Sequence, residues 1–174
     1  MKNAATLCAC SALLLFGLAA GCKKDEEDKL NQTDRNFMLQ AGYANNAEVD
    51  AGSLAANKAT DASVKSFGSM MVSEHTTAVN ELKSLSSATN VNVPSSPDST
   101  HIAIKNMLAG MSDRAFDSAY MRTQVTDHAA TIALMQNEIS NGKDAGVKGY
   151  ASKYLPHVQH HKHLADSIVA AKGF

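Results

Sequence analysis

Four stretches of this chain carry apolar residues at steps of three and four, and that spacing constrains the fold more than any other feature. The first reads Phe37, Ala41, Ala44, Glu48, Ala51, Ala55 and the second Val64, Phe67, Met71, His75, Ala78, Leu82, Leu85. The third reads Met121, Val125, His128, Ile132, Met135, Ile139 and the fourth Val147, Tyr150, Tyr154, His157, His161, Leu164, Ile168. Such steps trace one face of a helix, and no stretch shows sustained period-two alternation, so a sheet is not expected.

Boundaries follow from the residues at the ends of each pattern. Thr33 or Asp34 can cap the first helix, which should end near Thr60; the second should start near Asp61 and end in Ser86–Asn90. Pro94 and Pro97 make the segment 91–99 a loop. A short helix from about Thr100 to Met111 would pack Ile102, Met107 and Met111 inward. Ser112 or Asp113 caps the next long helix, Asn141-Gly142 stops it, and the last runs from about Asp144 to Ala171. Pro156 lies inside that last helix, where it removes a donor and crowds the carbonyl of Ser152, so a kink is expected. Four long helices with narrow seams predict an all-α four-helix bundle, with a short extra helix in the connection between helices two and three. Short turns make helices one and two, and three and four, antiparallel hairpins. The long middle connection either caps one end or crosses the bundle lengthwise, as in ferritin-like folds.

The front of the chain is of another kind. Lys2 precedes an apolar run from Thr6 to Ala20 that is too short to span a bilayer, which takes about 20 residues. Small residues close it at Ala19-Ala20-Gly21, directly before Cys22. This layout is that of a secretory signal, and it resembles a bacterial lipoprotein signal, although Leu18 stands one step earlier than that pattern prefers. The resemblance implies cleavage before Cys22 and lipid on Cys22; a soluble secreted protein or an uncleaved anchor are the alternatives. The expected organisation is a signal over 1–21, a lipidated Cys22 with a charged linker over 22–32, and the bundle over 33–174. With Cys8 and Cys10 lost in the leader and Cys22 acylated, no internal disulfide is available, so the core alone must hold the domain.

The linker Lys23-Lys24-Asp25-Glu26-Glu27-Asp28-Lys29 has no apolar face. It is either a tether or, by resemblance to surface lipoproteins of some Gram-negative bacteria, an export tag. The expected location is the cell envelope, anchored through Cys22 to the outer membrane on one of its two faces. Loss of Lys2 leaves the mature chain slightly acidic, since the whole chain has 16 Lys+Arg against 17 Asp+Glu. That balance gives no basis for nucleic-acid binding.

One polar residue interrupts each seam: Glu48, His75, His128 and His161. At about 1.5 Å per residue, each lies roughly 20 Å from its hairpin turn, so the four share a mid-bundle layer. His157, one turn from His161, would extend that layer. A carboxylate and three imidazoles can ligate one divalent metal such as zinc, iron or copper, with binding weakening as pH falls through about 6.5, the ordinary histidine value. The competing reading is a buried hydrogen-bond network that fixes helix register. No Glu-x-x-His pair of the di-iron kind is present. Met70, Met71, Met121 and Met135 hint at copper or simply fill the core. The His157, His160, His161, His163 group with Lys162 reads mainly as a solvated face. Phosphate loop, haem signature and nucleophile elbow are all missing, so a binding or structural module is favoured over an enzyme.

A set of segments stands out together: Asn46-Ala47-Glu48-Val49, Val64-Lys65-Ser66-Phe67-Gly68, Met71 to His75, Phe116 to Tyr120, Asp127-His128, and Lys153-Tyr154-Leu155-Pro156 with His161 beyond. Taken together they resemble the ferritin-like envelope family named domain of unknown function 4142 (DUF4142). Gly68, Glu74 and Lys162 depart from the family's usual Ala, Asp and apolar residue. The resemblance implies a four-helix fold and no particular reaction.

Overall fold

A computed structural model describes residues 30–174; the leader, Cys22 and the charged run after it lie outside them. The described chain forms five helices: α1 Gln32–Lys58, α2 Ala62–Thr89, α3 Ser99–Ala109, α4 Asp113–Asn141 and α5 Ala145–Lys172. The fold is an all-α bundle, and α3 is the short extra helix of the long connection.

The cap of α1 is Asn31, not Thr33 or Asp34. Asn31 accepts from the Asp34 N–H while Asp34 accepts from the Asn31 N–H, a reciprocal capping box. Asp61, Asp98 and Asp144 cap α2, α3 and α5 through their side chains. Ser112 precedes α4 without a side-chain cap bond. The α5 helix continues through Pro156. Gly142 ends α4 in an extended conformation, so its freedom at positive φ is not what places it there. A Cβ at Gly142 would sit 2.6 Å from the Glu138 carbonyl oxygen, so the position requires the missing side chain.

End contacts decide the topology. The Asn31 side chain at the start of α1 donates to the Asn141 carbonyl at the end of α4. At the other end, Thr60 after α1 donates its hydroxyl to Asp117 early in α4. Helices α1 and α4 are therefore antiparallel. Lys172 at the end of α5 pairs with Asp61 at the start of α2, so α2 and α5 are antiparallel too. Helices α2 and α4 thus run the same way, and the segment between them must travel the full length of the bundle. It does so along α1: the Pro94 carbonyl accepts from Asn46, Lys105 meets Asp50, and the Ala109 carbonyl accepts from Lys58. The middle connection crosses the bundle and does not cap it.

The crossover needs a close approach at Gly42, where a Cβ would lie 2.8 Å from both Pro94 Cδ and Val93 Cγ1. Met111, just past α3, packs against the core as expected, but the face α3 itself turns inward is not the expected one. Leu108 is fully buried and Ile104 packs beside it, whereas Ile102 and Met107 are 44% and 49% exposed. The helix lies over α1 and α4 with only one side covered, and its phase is set by Leu108.

The core falls into two apolar clusters. One holds Phe37, Met38, Ala78, Leu82, Met135, Val147, Tyr150 and Val158. The other holds Ala55, Val64, Phe67, Met71, Leu108, Phe116, Tyr120, Met121 and Ala165. Along every long helix the two sets are separated by polar residues: Asn45 and Glu48 on α1, His75 on α2, Gln124 and His128 on α4, His161 on α5. All six are buried.

Candidate metal centre

His75, His128 and His161 meet in the gap between the two apolar clusters. They are 6%, 1% and 1% exposed. Their ring centroids are 5.4–5.8 Å apart, and one ring nitrogen from each lies within 4.8 Å of the others.

Each ring uses one nitrogen on a different acceptor. His75 Nδ1 donates to Asn45 Oδ1 at 2.9 Å, His128 Nδ1 to the Gln124 carbonyl at 2.9 Å, and His161 Nε2 to Glu74 Oε2 at 3.1 Å. The Asn45 amide is held in the required orientation because its Nδ2 donates to the Ala41 carbonyl and the Tyr150 hydroxyl. A neutral imidazole has one N–H, so these acceptors settle the tautomers and leave a lone pair on the opposite nitrogen. Those nitrogens are His75 Nε2, His128 Nε2 and His161 Nδ1, and all three are buried without a hydrogen-bond partner.

The electrostatics keep the rings neutral. Burial, then the neighbouring histidines, holds His75 well below its ordinary value. Burial pushes His128 down to about 4 against the opposing Gln124 carbonyl, and it pushes His161 down to about 4 with His128 adding to it. Competition between protons and a metal is thereby displaced from about 6.5 to about 4, because the protonated ring is penalised inside the bundle. Burial also opposes the charge of Glu74, but His161 and His157 outweigh it, so Glu74 is an ionised acceptor.

Glu48 is in the layer but outside the convergent group. Its Oε1 is 3.6 Å from His128 Nδ1, the nitrogen already bonded to the Gln124 carbonyl. Burial pushes its carboxyl up to about 8, partly offset by the Gln124 amide, and its Oε2 has no partner. His157 does not extend the layer. Val158 takes the core position, and the His157 side chain is 53% exposed with Nδ1 3.2 Å from Glu74 Oε2. Met71, Met121 and Met135 pack inside the apolar clusters, with Met70 beside them.

Sequence reasoning missed Asn45, Glu74 and Gln124. Asn45 is three residues before Glu48 and so shares its face, and Gln124 is four before His128. Glu74 adjoins His75 yet points toward α5, where it meets His161 and His157.

The molecule is thus a crossover four-helix bundle with three neutral imidazoles converging on its centre. The chain belongs to the DUF4142 family, a domain of unknown function whose sequence model matches residues 20–168. No curated protein matches it. Among solved structures it is similar to a DUF305 fragment from Deinococcus radiodurans, with a TM-score of 0.72 at 8% identity over 82% of this chain and 98% of that one. It is also similar to CopM in its Cu(I)-bound form, at a TM-score of 0.68 and 14% identity over 81% of this chain and 98% of that one. The Ag-bound form of CopM gives 0.66 and 14% over 79% and 96%. At these identities the likeness is one of fold.

Proposed function

We propose that this protein is a metal-binding module of the bacterial cell envelope that holds one ion on His75, His128 and His161. The observation that supports this most is the set of three buried nitrogens with no partner. A buried polar atom left unsatisfied costs about 1–3 kcal/mol, and three converging lone pairs also repel one another. A hydrogen-bond network would need a donor among them, and every ring N–H is already directed outward. One cation accepting all three lone pairs relieves both costs. The outward partners, a carboxylate, a backbone carbonyl and an amide oxygen, are the kind of second layer that orients metal-bound histidines.

The donor set favours copper(I), for which silver(I) is a probe, over zinc or iron. Three neutral donors in a dry site suit a soft monovalent ion with three ligands. Zinc prefers four, and a divalent charge would be buried with no ionised carboxylate in the group. The fold likeness to CopM, solved in Cu(I)- and Ag-bound forms, supports the same reading. Titration of tag-free protein with silver(I), and competition for copper(I) against a colorimetric chelator, should show one tight equivalent that His128→Ala and His161→Ala each lose. Equal binding by these variants would contradict the assignment.

The anchor belongs to the same proposal. Cys22 carries lipid and tethers the bundle to the outer membrane, with the charged run as spacer. No helix among the described residues is long and apolar enough to cross a membrane. Mass spectrometry of the N-terminal peptide should find acylated Cys22; an unmodified Cys22, or residues preceding it, would contradict the anchor.

A further inference from the structure

The crossover packs on α1 and α4, so it leaves the opposite seam of the bundle, between α2 and α5, uncovered. A narrow cavity enters that seam at the level of the triad, and its walls include buried His75 and His161 as well as the exposed side chains of Glu74 and His157. Its volume is about 10 Å³, the lower limit for a single water. A hydrated ion cannot pass unless a side chain moves. Toward the Asp61 end, the same seam widens into a groove of about 460 Å³ lined by Phe67, Met70, Leu164 and Ile168, so α2 and α5 are loosely joined there. The larger cavity under the crossover is lined by none of the three histidines.

One side chain ties the mouth of this passage to its floor. The same oxygen of Glu74, Oε2, accepts from His161 Nε2 at 3.1 Å and from His157 Nδ1 at 3.2 Å. It therefore joins a buried ring of the triad to a ring that stands half in solvent. Glu74 is itself 40% exposed, so its carboxylate can rotate outward into water without being stranded in the apolar interior. His157 precedes His161 by four residues on α5, so the two rings are neighbours on the helix surface. With Nδ1 of His157 donating to Glu74, its lone pair is on Nε2.

We propose that Glu74 and His157 form an entry site for a soft monovalent cation at the α2–α5 seam, from which the ion is handed to the triad; this rests on the triad reading above. The carboxylate attracts the cation, and the His157 imidazole replaces part of its water shell before it enters the dry interior. The ion passes inward while the Glu74 side chain is swung off His161. The bond from His161 to Glu74 then re-forms and closes the seam behind it. His157 touches the ion only in transit, so it sets the rates of loading and release and not the affinity.

Copper(I) is the probe, and its release is read by absorbance when loaded protein is mixed with enough colorimetric chelator that the rate no longer depends on the chelator. His157→Ala should slow release by about tenfold with Kd unchanged, so that loading is slowed by the same factor. His157→Met should release as wild type does, because a thioether is also a soft donor. His163→Ala on the exposed face and His101→Ala on the crossover side should leave the rate unchanged. A wild-type rate in His157→Ala, an altered Kd in that variant, equal slowing in His157→Met, or slowing by His101→Ala would overturn the entry site. Those results leave the triad standing so long as His128→Ala loses copper(I) at equilibrium; copper(I) bound as tightly by His128→Ala as by wild type would overturn both.

Discussion

His161 donates its Nε2–H to Glu74 across the α5–α2 interface at 3.1 Å, and this bond leaves Nδ1 of His161 as the nitrogen turned into the bundle. The tautomer of a candidate ligand on one helix is thus set by a carboxylate on another. Glu74→Ala should therefore weaken silver(I) binding by about 10–100-fold, the usual effect of losing such a partner, while leaving the fold intact. Binding by titration and helicity by circular dichroism check this. Unchanged affinity would mean that Glu74 does not orient His161.

Affinity for silver(I) should stay level from pH 8 down to about 5.5 and fall only as pH approaches 4, because burial holds His128 and His161 at about 4. A decline centred near 6.5 would show that the rings titrate as if in water.

The metal-free domain should be most stable near pH 6. Each buried histidine has a folded value below its unfolded 6.5, so between about 4 and 6.5 the unfolded chain binds more protons and stability falls as pH drops. Glu48 and Glu138 act oppositely. Their folded values of about 8 exceed 4.5, so their contribution is full below 4.5 and is lost as pH rises through 8. Urea midpoints from pH 4 to 9 check both limbs, and a midpoint that keeps rising above pH 7 would contradict the account.

The alkaline limb has a second test at the end of the bundle. Asp34 accepts from the backbone N–H groups of Asn31, Lys143 and Asp144, which hold it ionised against its burial. Burial first, and then the Asp34 carboxylate, pushes Glu138 up. Glu138→Gln should stabilise the domain, and by clearly more at pH 8 than at pH 5, because the unfolded carboxyl ionises from about 4.5 upward while the folded one stays protonated up to about 8.

Gly68→Ala should destabilise the bundle even though alanine is the better helix former. A Cβ at Gly68 would lie 2.8 Å from the Ala55 Cβ, the Ala56 nitrogen and the Gly52 carbonyl oxygen, all on the facing helix α1. Overpacking of this kind costs about 1–3 kcal/mol, against a propensity gain of about 1. A higher melting temperature for the variant would contradict that packing.

The helices and the three histidines were legible in the sequence because the seams are apolar on both sides of each histidine. The phase of the seams was less so. The seams as read from the sequence place Ala44, Val125, Ile139 and His157 inward, whereas the buried neighbours are Asn45, Gln124, Glu138 and Val158. Three of those four are polar, and a hydrophobic pattern does not register a buried polar residue. Topology was likewise hidden, since direction follows from end contacts such as Thr60 with Asp117 and Lys172 with Asp61. Glu74 escaped because its role depends on which helix neighbours α2.

X-ray absorption at the copper edge of protein loaded with one equivalent of copper(I) tests the central claim most directly. The account predicts a three-coordinate ion with imidazole nitrogens as its only donors, and a change in that signature in His128→Ala. A spectrum dominated by sulfur, or one unaltered in the variant, would contradict it.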